Sequence, residues 1–148
     1  MTSTLKDHLG YWLRFVSNHV SQGFARKVEA RGVTVAEWVV MRELLDHDHA
    51  APSDLADRIG MTRGAITKLA DRLIAKALVT RTASKEDARR QTLALTKKGR
   101  VLVPALASLA DHNEEEFFGH LSKAERQILA AAMKEIVGRR RLKSVPVE

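Results

Sequence analysis

SDLADRIGMTRGAITKLADRLIAKALVTRTASKEDARRQTLALT, residues 53 to 96, decides the fold of this chain. Its first segment predicts a short helix with Leu55 and Ile59 on the buried face and a stop at Gly60. Thr62 is a good N-cap for a second helix that extends to about residue 77. Because only a tight turn separates the two helices, the stretch predicts a helix-turn-helix.

The apolar pattern changes after the second helix. Residues 79–82 and 91–95 are short β-prone segments, and residues 84–90 between them are polar and highly charged. This arrangement predicts a β-hairpin whose tip projects into solvent. Helix, turn, helix and hairpin in this order form a winged helix-turn-helix, so the predicted fold is mainly α (α+β).

Long amphipathic helices are predicted on both sides of this unit. Apolar residues from Leu9 to Phe24 recur at spacings of three and four, which predicts a helix over residues 5–30. Capping patterns at Thr34, Thr96 and Ser122 predict three further helix starts. We expect one domain over residues 1–148, with the winged unit over about residues 34–99 and flanking helices over about residues 3–31 and 97–141.

Composition narrows the classes of function. The chain has 148 residues, no cysteine and a formal net charge of +7. The lack of cysteine excludes disulfides, thiolate zinc sites, a cysteine nucleophile and a thiol-based sensor. The excess of positive charge favours a polyanionic partner. Because no apolar run has the length of a signal peptide core or of a membrane span, we expect a cytoplasmic protein that does not contact a membrane.

Basic and small residues occupy the exposed face predicted for the second helix. Such a helix enters the major groove of DNA by its N-terminal end, where Arg and Lys donate to guanine edges or phosphates. Small side chains allow the helix to approach the duplex closely. The predicted DNA-binding residues of this helix are Thr62, Arg63, Gly64, Ala65, Thr67, Lys68 and Arg72.

The hairpin carries a second basic cluster. A narrow minor groove has an enhanced negative potential that attracts an inserted arginine. Asp87 is predicted to hold the Arg89 guanidinium in a fixed direction. The predicted DNA-binding residues of the hairpin are Arg81, Lys85, Asp87, Arg89 and Arg90.

Other classes of function have weaker support. Basic helix faces are usually solvated surface, and a winged domain can be a protein-interaction module that does not bind DNA. A basic helix followed by a basic hairpin in the correct order favours DNA binding. An enzyme is not expected, because the sequence has no glycine-rich phosphate loop, nucleophile elbow, metalloprotease helix or credible triad. No cofactor is predicted.

The same segments resemble the multiple-antibiotic-resistance regulator (MarR) family. The likeness is carried by residues 53–60 and 61–79, by Asp87-Ala88-Arg89, and by Leu93–Thr96 with Gly99, and the helix order extends it over nearly the whole chain. The wing of the family commonly has Asp-Arg-Arg, so Ala88 departs from the pattern and Arg90 is a candidate to compensate. The resemblance implies a DNA-binding transcriptional regulator, usually a repressor.

The resemblance also implies a homodimer on a pseudo-palindromic operator. In the family the first helix and the last two helices interlock, which makes the flanking helices here dimerisation helices. Their apolar faces are larger than a small winged domain needs for its own core, although packing within one chain is the alternative. The interface candidates are Leu5, Leu9, Leu13, Leu109, Phe117, Ile128, Met133 and Ile136. A dimer would contact two half-sites about one helical turn apart.

Members of the family often bind small aromatic acids between the dimer base and the DNA-binding lobe, which releases them from DNA. The candidate effector-binding residues are Tyr11, Trp12, Arg14, His19 and Trp38. An arginine or histidine would pair with the carboxylate, and the rings would stack on the ligand. The alternative is that these aromatic rings are ordinary packing.

Two histidine clusters raise the alternative of a metal-responsive regulator. His47 and His49 alternate with Asp46 and Asp48, and a second group comprises His112, Glu115, Glu116 and His120. Zinc requires about four converging ligands, which neighbouring loop residues seldom provide. We therefore interpret both clusters as solvated surface and predict no metal site.

Overall fold

The computed structural model describes residues 1–84, 86–87 and 89–143. Within these residues a short 3-10 helix at Leu5–Asp7 precedes six α-helices and one hairpin. In chain order these elements are α1 (Leu9–Glu29), α2 (Val35–Asp46), α3 (Pro52–Ile59), α4 (Arg63–Ala75), β1 (Val79–Ala83), β2 (Gln91–Leu95), α5 (Lys97–Phe118) and α6 (Lys123–Arg140). The mainly α winged helix-turn-helix is thereby confirmed, with β1 and β2 as the wing.

Side-chain caps begin the helices where the sequence predicts them. The Glu37 amide donates to the Thr34 hydroxyl at 3.1 Å, and the Thr34 amide donates to the Glu37 carboxylate at 2.9 Å. The other predicted caps in place are Thr62, Thr96 and Ser122. Each cap satisfies amides that the first helical turn leaves unpaired, an effect typically worth about 1 kcal/mol.

Two helix boundaries differ from the prediction. The first α-helix begins at Leu9 rather than residue 5, because Thr4 and Asp7 form a capping box that closes a separate 3-10 turn. The helix α4 ends at Ala75 rather than near residue 77, because Ala77 adopts a left-handed conformation with φ of 60° and turns the chain into β1. Both differences are turn effects that the spacing of apolar residues does not record.

The core holds α4 and the wing in fixed positions. Its largest fully buried side chains include Met41 and Leu44 of α2, Leu55 of α3, Ile66 and Leu73 of α4, Val79 and Leu93 of the wing, and Leu106 of α5. The strands pair antiparallel, from Val79 opposite Leu95 to Ala83 opposite Gln91. A further bridge joins Leu93 to Ala50 in the loop between α2 and α3, which fastens β2 to the helical unit.

A buried ion pair joins α2 to the end of α4. The Glu37 side chain is 0% exposed, and Lys76 Nζ donates to its two oxygens at 2.9 and 2.8 Å. Lys76 Nζ also donates to the Gly32 carbonyl at 2.8 Å. Burial by itself would raise the pKa of Glu37. The hydrogen bonds from Lys76 and Thr34 together lower this pKa by a larger amount, so it lies below the ordinary value.

The flanking helices leave much of their apolar surface uncovered. No residue of α6 is buried, and the side chain of Ile128 is 68% exposed. In α1 only Gly23 and Val28 are buried, and Leu9 near its start is 81% exposed. These helices are amphipathic, and in the part of the chain that the structure describes no helix is long and apolar enough to cross a membrane.

Candidate nucleic-acid interface

The helix α4 separates its buried and exposed residues as the sequence predicts. Its core side includes Ile66, Leu69, Ala70 and Leu73. The exposed predicted DNA-binding residues are Thr62, Arg63, Gly64, Thr67, Lys68 and Arg72, and Ala65 is half-buried beside them. The structure therefore brings the predicted set together around one face and the N-terminal end of α4.

Backbone contacts already occupy the two threonines of this face. The Thr62 hydroxyl accepts from the Ala65 amide at 3.1 Å, and the Thr67 hydroxyl donates to the Arg63 carbonyl at 3.0 Å. Thr62 keeps its hydroxyl hydrogen for a phosphate, while Thr67 keeps acceptor capacity and a methyl group. The basic side chains Arg63 and Lys68 are exposed and lie within two turns of the helix N-terminus, whose dipole favours negative charge.

The tip of the wing corrects the role predicted for Asp87. Its carboxylate accepts from the backbone amide of Arg89 at 3.0 Å, and its carbonyl accepts from the amide of Arg90 at 2.9 Å. Among the described residues Asp87 forms no ion pair with the Arg89 guanidinium. An aspartate bonds readily to the backbone two residues ahead, so it shapes the turn rather than orienting the guanidinium.

The exposed arginines at the tip are Arg89 and Arg90. The Ser84 amide donates to the Arg90 carbonyl at 2.7 Å, which closes the loop beyond the paired strands. Predicted residue Lys85 lies outside the described residues, as does Ala88, the departure from the family pattern. The two arginines therefore supply the described positive charge at the tip of the wing.

Arg81 occupies a different place from the arginines of the tip. Side chains alternate along a strand, so Arg81 shares a face of β1 with the buried Val79 and lies opposite Leu93. Its Nη2 atom lies 2.7 Å from Asp71 Oδ1 on α4. The structure thus directs Arg81 toward α4 (the recognition helix, predicted to enter the major groove) rather than outward with the tip. Asp71 is not among the residues that the sequence predicts to bind DNA.

The five candidate effector-binding residues are not brought into one cluster. Tyr11 and Trp12 stack edge to face at 5.1 Å between ring centroids, and His19 stacks on Phe15 at 5.1 Å. Arg14 is exposed on the same helix. Trp38 instead packs against Phe24 at 6.1 Å, next to the core. Because thirteen residues of helix span about 20 Å, Trp38 lies far from Tyr11.

The position of Phe15 in the exposed aromatic cluster was missed at the sequence level. Its spacing of four from both Tyr11 and His19 is the signal that identifies it, since residues four apart meet on a helix face. The cluster therefore comprises Tyr11, Trp12, Phe15 and His19.

The acidic residues of the second histidine cluster are occupied by basic side chains. Glu115 pairs with Arg126 at 3.1 Å, and Glu116 pairs with Lys27 at 3.0 Å. Over residues 1–84, 86–87 and 89–143 the structure contains no group of three or more histidine, aspartate or glutamate side chains arranged to hold a metal ion. These pairs give the carboxylates a role in joining helices.

Residues 31–90 match the sequence profile of the MarR family. The HTH-type transcriptional repressor MdtR of Bacillus subtilis is 38% identical over 72 residues, which are 49% of this chain and 46% of MdtR. The profile match thus covers most of the winged unit, which forms the candidate interface.

Two solved structures share the fold over most of the chain. The S. aureus MepR–DNA complex superposes with a TM-score of 0.81 at 25% identity and covers 89% of this chain and 98% of MepR. BpsR of Bordetella bronchiseptica, whose regulation of DNA binding by 6-hydroxynicotinic acid has been described, superposes with a TM-score of 0.81 at 22% identity. That alignment covers 92% of this chain and 97% of BpsR.

Proposed function

We propose that this chain is a transcriptional regulator of the MarR family and a dimeric, sequence-specific reader of double-stranded DNA. The carrying observation is the exposed basic face of α4 beside the basic tip of the wing. In this arrangement α4 contacts base edges in the major groove, while Arg89 and Arg90 reach the minor groove. Members of this family regulate transcription, so the proposed function is that of a regulator rather than an enzyme.

The exposed apolar surface of α6 supports the dimer. Helices in proteins gain most of their stability from packing an apolar face against other elements, yet α6 buries no residue against its own chain. Its exposed apolar residues are Ile128, Leu129, Met133, Ile136 and Val137. Leu5, Leu9 and Leu13 add a second uncovered apolar surface at the other end of the chain. A second copy would cover both surfaces and present two α4 helices to one operator.

The sign of regulation is proposed to be repression. MdtR, a relative with 38% identity over 72 residues, is named as a repressor. A dimer bound across a promoter excludes polymerase without further contacts. A promoter–reporter fusion with and without the protein tests this proposal: expression should fall when the protein is present, and a rise would make it an activator.

Substitution of the exposed basic residues is the first test of DNA binding. Arg63→Ala, Lys68→Ala and Arg89→Ala should each weaken operator binding by about tenfold and reduce the slope of log K against log salt for each lost phosphate contact. Fluorescence anisotropy over a salt series measures both quantities. Lys123→Ala, an exposed charge at the start of α6, is the matched control and should bind as the parent does.

Parent-like binding by all three variants would contradict the assignment of α4 and the wing. A parent protein that binds no DNA fragment, while retaining its fold, would instead favour the protein-interaction module.

A small aromatic acid is proposed as the effector that releases the protein from DNA. The supporting observation is the exposed ring cluster of α1 with Arg14 on the same helix, which offers stacking surfaces and a partner for a carboxylate. Titration with salicylate should weaken operator binding and raise the melting temperature of the free protein. If salicylate and its close analogues change neither quantity, this class of effector is wrong.

A further inference from the structure

We infer that Asp71 is a positioning residue for DNA binding, because it ties the wing to the recognition helix through Arg81. This inference rests on the proposed function, since it assigns a role within the same interface. Asp71 lies on α4 and Arg81 on β1, so their ion pair bridges the two elements that are proposed to contact DNA.

The geometry of the pair suits a mechanical link. Arg81 Nη2 lies 2.7 Å from Asp71 Oδ1, a short separation for a charge-assisted hydrogen bond. The Arg81 side chain is 29% exposed, while that of Asp71 is 60% exposed. Arg81 lies opposite Leu93 in the strand register, and the side chain of Leu93 is fully buried, so the Arg81 side chain leaves β1 on its core side.

The charge of Asp71 is otherwise unexpected at this position. Asp71 follows Thr67 by four residues and Lys68 by three, so it shares the exposed face of α4 that is proposed to meet DNA. A carboxylate near phosphates repels them and should weaken binding. The presence of Asp71 is favourable for DNA binding only if its pair with Arg81 gives a larger gain in affinity, by fixing the wing, than the loss that its repulsion of phosphates causes.

The wing is fastened at its base from two sides. The bridge between Leu93 and Ala50 holds β2 to the loop before α3, and the Asp71–Arg81 pair holds β1 to α4. Without the ion pair, β1 keeps its strand pairing but loses this connection to α4. The angle between the tip and the recognition helix would then vary, so fewer molecules would fit both grooves at once.

The substitution Asp71→Asn separates this role from simple electrostatics. Removal of a negative charge beside DNA predicts tighter binding, whereas loss of the link predicts weaker binding by roughly fivefold for each protomer. For a dimeric operator complex the two losses combine to about 25-fold. Asp57→Asn on α3 is the matched control, because Asp57 is exposed and forms no ion pair within the described part of the chain. It should bind as tightly as the parent or slightly tighter.

A double-mutant cycle with Arg81→Gln shows whether the two residues act as a unit. Asp71→Asn, Arg81→Gln and the double variant should lose similar affinity, and all should keep the salt slope of the parent. The ratio of operator to non-specific affinity should fall in all three, while melting temperatures remain near that of the parent.

Two results would overturn the inference. Tighter or unchanged operator binding by Asp71→Asn would show that the carboxylate acts only through its charge. A loss confined to Arg81→Gln, with a salt slope reduced by about one for each protomer, would show that Arg81 itself contacts a phosphate. Failure of the parent to bind DNA is a separate outcome that contradicts the proposed function instead.

Discussion

Ile136→Glu is expected to convert the protein to a monomer and to weaken operator binding by about 100-fold or more. Ile136 is 51% exposed on α6, so the substitution leaves the core of the chain intact. In a dimer the new carboxylate would be buried against apolar side chains without a partner, which strongly disfavours association. A monomer would contact one half-site and lose the gain from joint binding of two.

Sedimentation and anisotropy with operator DNA measure the two parts of this prediction. Gln127→Glu adds the same charge at an exposed position of α6 and should remain dimeric with parent-like affinity. Leu13→Glu tests the α1 surface in the same way, since Leu13 is also exposed. A dimeric Ile136→Glu variant with unchanged DNA affinity would place the interface elsewhere.

Lys76→Met is expected to destabilise the fold by about 2–3 kcal/mol. Breaking a fully buried ion pair by removal of one partner costs roughly 3–5 kcal/mol, and the estimate here is lower because the Lys76 side chain is 38% exposed. The variant leaves the carboxylate of Glu37 buried without its counter-ion and also removes the bond to the Gly32 carbonyl. Urea unfolding at fixed protein concentration measures the loss.

The stability of the parent and that of Lys76→Met should depend on pH in opposite directions. In the parent the folded-state pKa of Glu37 is lowered, so its contribution to stability is complete above the ordinary carboxyl pKa and is lost as pH falls through the folded value. In Lys76→Met the buried carboxylate has no counter-ion, so its pKa should rise above the ordinary value. The contribution of Glu37 to the stability of the variant would then be lost as pH rises. The variant should therefore become more stable on mild acidification.

Two further variants serve as controls for the ion pair. Lys97→Met removes an exposed charge at the start of α5 and should change neither stability nor its pH dependence. Glu37→Gln should reduce the acid-induced loss of stability, because the group that titrates is gone. An equally steep loss in Glu37→Gln would assign the acid dependence to other carboxylates.

The parts of the fold that depend on neighbours along the chain could be predicted from the sequence. The caps at Thr34, Thr62, Thr96 and Ser122 act over three residues, so their chemistry is visible in the sequence itself. The β-prone segments around a charged stretch likewise predicted the wing, and helical spacing predicted the buried side of α4. These patterns involve residues close together in the chain. They are visible wherever one face of an element is buried, because that face must then be apolar.

The contacts that were not predicted depend on where distant elements meet. Asp71 and Arg81 are ten residues apart and join only because β1 turns back beside α4. Trp38 was grouped with Tyr11 by chemistry, but the packing of α2 against Phe24 separates them. For Asp87, the predicted partner was the Arg89 guanidinium, but the tight turn brings the Arg89 backbone amide to its carboxylate instead.

The most direct test of the account is selection of genomic fragments by the purified protein, followed by sequencing and a salt titration of the enriched sites. A dimeric DNA reader should enrich a pseudo-palindromic motif with half-sites about one helical turn apart and should bind it with steep salt dependence. Recovery of no enriched motif, or binding that salt leaves unchanged, would contradict a dimeric DNA reader.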